Sequence, residues 1–220
     1  MLRVHEGLTG EIWCAEAWVS VARTKLMQGD LQAAEAALSQ AGMMGTPDAE
    51  APMMLAEILL ATDRAQRAHE LLTNLVLHKP GIARAHYVLG IACRDLGLAE
   101  EADAYRAALA IDPGLSMAWY RLGNYLNLRR EWTEAVAAYR EAIRIDPHNQ
   151  PALLGGALAM KRIGDPEEAR EYLDQLRDMG SELAPLLELS LADRKPIPPG
   201  VRLRSYGCRK NEEGEGEGDR

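Results

Sequence analysis

Residues able to do covalent or metal chemistry are few in this chain and poorly spaced for it. The five histidines are His5, His69, His78, His86 and His148, and none pairs at i,i+4 with another histidine or with cysteine. That spacing is what a metal site on a helix needs. Cys14, Cys93 and Cys208 are odd in number, far apart and without a CxxC pair, which argues against a disulfide framework and a zinc site. Glu100-Glu101 and Glu167-Glu168 pair carboxylates, but at helix starts, where the helix dipole favours negative charge without any catalytic role. No Gly-x-Ser-x-Gly elbow, phosphate loop or dinucleotide fingerprint occurs, and the glycines from Gly214 to Gly218 alternate with glutamate and open no helix. The expectation is a protein that is not an enzyme and has no cofactor and no metal.

The elements that would position any site are helical. The chain has 220 residues, 47% hydrophobic and 26% charged, with aromatics at 5% and no phenylalanine. Abundant alanine favours helix and close helix–helix contact. A net charge of −8 removes the usual electrostatic reason to expect nucleic acid as a partner. The first ten residues lack the apolar run of a secretory signal, and no stretch approaches 18 consecutive apolar residues. A cytoplasmic protein without a membrane span is expected.

A pattern of small, large and proline residues recurs about every 34 positions. Its clearest copy is Trp119, Leu122, Gly123, Ala135, Tyr139, Ala142 and Pro147. The same spacing yields Trp18, Val21, Ala22, Ala34, Leu38 and Ala41, with Pro47 one residue late, and then Leu55, Ala56, Ala68, Leu72, Leu75 and Pro80. A third copy has Leu89, Gly90, Ala102, Tyr105 and Pro113, one residue short between alanine and aromatic; a fifth has Leu153, Ala157, Ala169, Leu173 and Leu176. Such periods mark stacked helical arrays. Each copy reads as two amphipathic helices, in the fourth Met117–Leu128 and Trp132–Ile145. Gly29-Asp30, Gly97 and Gly164-Asp165 suit the left-handed ends of first helices. Asp165-Pro166-Glu167-Glu168 is a capped helix start, and Asp112-Pro113 and Asp146-Pro147 end second helices.

This pattern resembles the tetratricopeptide repeat family over residues 15–183. It departs at Pro52, which stands in the consensus tryptophan place, in the shortened third copy, and at Gly155-Gly156. The resemblance implies an all-α, right-handed superhelix of five units (15–48, 49–82, 83–115, 116–149 and 150–183). Residues 1–14 would extend the first helix backwards, 184–193 would form an end-capping helix, and 194–220 would be a disordered tail, basic and then acidic. Ala22, Ala56, Gly90, Gly123 and Ala157 should meet Ala34, Ala68, Ala102, Ala135 and Ala169 where the two helices of a unit approach. His86, in the large inter-helix position, and Cys93, on a buried stripe, read as core residues. Gly155-Gly156 costs on the order of 1 kcal/mol per glycine inside a helix, which fits either a tight crossing with the fourth unit or a flexible joint.

The resemblance also implies a concave groove lined by the first helices. Val19, Arg23, Leu26, Met53, Glu57 and Leu60 would make its apolar start, and Leu154, Leu158, Lys161 and Arg162 its end. Between them, Tyr87, Arg94, Tyr120, Arg121, Asn124 and Asn127, together with Lys161, are the expected peptide-binding side chains. They can stack on a peptide, pair with its acids and bond its backbone. Asparagine is a mediocre helix former, so Asn124 and Asn127 suggest a role beyond helicity. The family's carboxylate clamp for C-terminal tails is disfavoured, because Val19, Met53, Glu57 and Gly155 stand where its partners belong. The expected function is a non-catalytic scaffold or adaptor for a protein or peptide partner. The alternatives are a targeting module of a larger, bacterial-type enzyme and a structural protein that self-associates through its array ends. Residues 194–210 carry six bases and no acid, interrupted by Pro196, Pro198, Pro199 and Gly200, and Val201–Arg204 alternates like an edge strand.

Overall fold

The computed structural model describes residues 5–6, 12–44 and 49–192. It is an all-α array of five helix hairpins and a closing helix. The hairpins are α1 (Ala15–Met27) with α2 (Leu31–Met43), α3 (Glu50–Ala61) with α4 (Ala65–His78), α5 (Ala83–Leu96) with α6 (Glu101–Ile111), α7 (Ser116–Leu128) with α8 (Trp132–Ile145), and α9 (Gln150–Ile163) with α10 (Pro166–Asp178). Helix α11 (Ala184–Ala192) follows and packs on α9 and α10. The basic and acidic segments at 194–220 lie outside the described residues.

The N-terminal expectation needs correction. Two short strands, β1 (His5–Glu6) and β2 (Ile12–Trp13), pair antiparallel, with His5 opposite Trp13. Cys14 is extended, at φ −99° and ψ 165°, and α1 begins at Ala15. The first helix therefore does not run back through 12–14, where Ile-Trp follows its strand preference.

Turn chemistry sets the hairpins. Each turn between the helices of a unit contains one left-handed residue: Gly29, Asp63, Gly97, Arg130 and Gly164, with φ between 56° and 89°. The expected glycines are there, and the second and fourth units place Asp63 and Arg130 in the same conformation. Asp30 and Asp165 cap the following helices through the amides of Ala33 and Glu168. Asp112 and Asp146 end α6 and α8, and their carboxylates accept from the amides of Gly114 and His148.

The interior is a chain of layers. Ala22, Ala34, Ala56, Ala68, Ala135, Ala157 and Ala169 are fully buried, as expected of the helix-crossing positions. What the small residue is depends on what it meets. Ala22, Ala56 and Ala157 lie 16 residues before Leu38, Leu72 and Leu173. Gly90 and Gly123 instead face tyrosines: a Cβ at Gly90 would stand 2.4 Å from the Tyr105 ring, and one at Gly123 2.8 Å from the Tyr139 ring. Those rings occupy the volume that a methyl group has in the leucine units.

Buried polar groups fix how units dock. Asn149, 6% exposed, donates through Nδ2 to Ser116 Oγ at 3.2 Å and accepts the Ala152 amide at 3.1 Å. One unit later, Ser181 Oγ donates to Gln150 Oε1 at 2.8 Å. Outside the core, the half-buried Trp119 indole donates to the Pro113 carbonyl at 3.0 Å, and His86, half-buried rather than the core residue expected, meets the Pro80 carbonyl through Nε2 at 2.9 Å. His86 thus does in the third unit what the tryptophan does in the fourth.

Candidate interaction groove

First helices touch one another along the array: α3 meets α5, α7 meets α9, and α9 meets α11. Helices that make these next-nearest contacts lie on the tighter, inner radius of a stack, so α1, α3, α5, α7 and α9 form its inner wall.

Two ion pairs cross this wall with one spacing. Arg23 of α1 reaches Glu50 of α3, and Arg84 of α5 reaches Glu57 of α3 at 2.6 Å; each pair is 27 residues apart. Glu50 and Glu57 are two helical turns apart on α3 and straddle Met53. A cleft of about 270 Å³ opens there, lined by Ala49, Glu50, Met53, Met54, Glu57, Ile82 and Arg84. Its floor is apolar and flexible in shape, because methionine adapts to varied side chains. Its rim carries both charges, all at least two-fifths exposed.

The residues expected to bind peptide fall into separate groups. Tyr120 is buried, 7% exposed, with its ring 6.3 Å from that of Tyr139. Asn124 accepts the Tyr139 hydroxyl at 2.7 Å. These two converge on a core tyrosine, so Asn124 has the role beyond helicity that its presence suggested, and that role is internal. Tyr87, half-buried, packs 6.2 Å from Tyr105 in the same arrangement one unit earlier. There Ile91 stands at the position of Asn124, and the buried Tyr105 hydroxyl has no well-formed hydrogen bond.

Arg94 pairs with Asp95 at 2.7 Å. Arg94 and Arg121 both act on Glu101 and Tyr105 across α5, α6 and α7. Burial pushes the Glu101 carboxyl above its ordinary value, and the two guanidiniums oppose that shift. Arg121 lies 5.6 Å from the centre of the Tyr120 ring, with its Nε buried. Asn127 is half-buried on α7. Lys161 donates to the Ser190 carbonyl of α11, which ties it to the closing helix.

Gly155-Gly156 proves to be a crossing. A Cβ at Gly155 would stand 2.8 Å from the Tyr139 ring, and one at Gly156 3.0 Å from Tyr172. Burial pushes the Cys93 thiol up to about 11, which keeps it protonated and unreactive at neutral pH. Glu50, Ile82 and Arg84 were not anticipated at the groove. The signal available for two of them was opposite charge recurring at 27 residues, one unit minus two helical turns.

Tetratricopeptide repeat profiles match residues 53–116, 116–149 and 151–178. A stretch of 71 residues, 32% of the chain, is 38% identical to the peroxisomal targeting signal receptor of Eremothecium gossypii. The chain covers 12% of that receptor's length. Among solved structures, a MamA protein superposes with a TM-score of 0.66 at 23% identity, over 78% of this chain and 94% of MamA. YrrB, a TPR protein with an unusual peptide-binding site, superposes with a TM-score of 0.63 at 16% identity, over 80% of this chain and 92% of YrrB. Period, hairpin geometry and profile matches agree, and the chain belongs to the tetratricopeptide repeat family.

Proposed function

We propose that the chain is a non-catalytic protein-interaction module that takes an extended peptide segment across its inner wall. An apolar side chain of the peptide enters the Met53–Ile82 cleft, and charged neighbours exchange with the Arg23–Glu50 and Glu57–Arg84 pairs. The cleft between two ion pairs of identical spacing supports this reading most directly. Exposed pairs of this kind contribute only about 0–1 kcal/mol, so opening one for a ligand's charge costs little. The peptide-binding site of YrrB and the receptor role of the Eremothecium protein accord with it. Among the described residues, no helix is long and apolar enough to cross a membrane.

The test is position-specific photocrosslinking in lysate. A benzophenone side chain replacing Met54 in the cleft should label a partner polypeptide, whereas one replacing the exposed Ala137 on α8 should not. Glu57→Lys should cut the labelling from position 54 at least about fivefold while leaving the melting curve intact. Equal labelling from both positions would move the site off the inner wall.

A further inference from the structure

Charge is sorted between the two walls of the last three units. The first helices α5, α7 and α9 carry Arg84, Arg94, Arg121, Lys161 and Arg162 against a single acid, Asp95. The second helices α6, α8 and α10 carry nine acids and five bases. A chain of net charge −8 thus turns a basic surface inward, where a concave wall concentrates its field. Helix α3 is the opposite, with Glu50 and Glu57 as its only charges.

Where α5, α6 and α7 meet, donors lack an acceptor. Arg23, Arg84 and Arg94 each have a carboxylate partner. Among the described residues Arg121 has none; its guanidinium lies against Tyr120, and its buried Nε makes no hydrogen bond. The hydroxyl of Tyr105, a side chain 0% exposed, likewise has no well-formed bond there. Tyr139, its counterpart in the next unit, donates to Asn124, whose place Ile91 takes here. The nearby acids do not fill the gap: Asp95 is held by Arg94, and Glu101 forms no ion pair among the described residues.

We infer that this junction receives an aspartate or glutamate of the bound peptide, so that the ligand carries an apolar anchor for the Met53–Ile82 cleft and acids over α7. The inference rests on the inner wall being the peptide-binding face and adds the ligand's polarity. A carboxylate supplies the acceptor that Arg121 lacks and fits the planar fork of a guanidinium. Packed helices lie about 8–10 Å apart, so α7 is roughly 15 Å beyond a cleft between α3 and α5. Extended chain covers that in about four or five residues. A nucleic acid, charged along its whole length, would meet Glu50 and Glu57 on the same wall, whereas a peptide can confine its acids to one end.

Selection from a displayed random-peptide library on the full-length protein tests this. Selected peptides should carry Asp or Glu about four or five residues from an apolar residue. Arg121→Gln should weaken them about tenfold, and Arg94→Gln, on another helix, should act in the same direction. Arg121→Lys keeps the charge without the fork and should recover part of the loss, while Arg67→Gln on the outer helix α4 should change affinity less than about twofold. Peptides that are labelled from benzophenone at position 54 but hold no excess of acids would overturn this inference and leave the inner-wall reading standing. Peptides that are not labelled from there, or none selected at all, would sink both. Equal losses from Arg67→Gln and Arg121→Gln, or displacement of the peptides by oligothymidylate, would also overturn it.

Discussion

Tyr139 organises more of this protein than any residue that first looked functional. Its ring is 1% exposed and lies between Gly123 and Gly155, its hydroxyl bonds Asn124, and Tyr120 packs beside it. Three residues that could be mistaken for a binding site or a joint, Tyr120, Asn124 and Gly155, thus serve one buried aromatic. Asn124→Ala leaves a buried hydroxyl without its acceptor, which costs about 1–3 kcal/mol. Tyr139→Phe removes the donor as well, so the double substitution should lose less than the two single losses summed. A double-mutant cycle from urea melts measures this; strictly additive losses would mean that the hydrogen bond contributes nothing. The asparagine was visible in the sequence as an oddity. Its partner was not, because a residue 15 positions away on another helix leaves no mark in local spacing.

Helices cross at a distance set by matched pairs, alanine with leucine and glycine with tyrosine. Gly123→Ala gains up to about 1 kcal/mol of helix propensity. Against that, the new methyl lies 2.8 Å from a ring that Gly155 already confines from α9. The ring has nowhere to move, so overpacking of about 1–3 kcal/mol or more decides the sign. Gly123→Ala should lower the melting temperature, and adding Tyr139→Leu should recover part of the loss by restoring the alanine–leucine pairing of the other units. No recovery would show that the pairing does not set the crossing. The period of small residues was legible in the sequence; which small residue each unit needs became clear only with the ring across from it.

Stability in such an array is the sum of unit and neighbour terms, so damage should stay local. Leu153 is fully buried between the fourth and fifth units. Leu153→Ala should cost about 2–5 kcal/mol and speed hydrogen exchange in α9–α11 well beyond any change in α3 and α4. Uniform acceleration along the chain would instead indicate one all-or-none core. By itself the sequence determined the all-α repeat architecture, the period of the helix pairs, the glycine turns of three units and the small residues at each crossing, because these are short-range choices repeated in register. The tertiary structure alone decided which inner-wall side chains are spent on the core and which stay at the open surface. Tyr120 and Asn124 turn inward to Tyr139, Lys161 goes to α11, and Glu50, Glu57 and Arg84 frame the open cleft. That division depends on where neighbouring helices bring a ring or a charge, and no single helix encodes it.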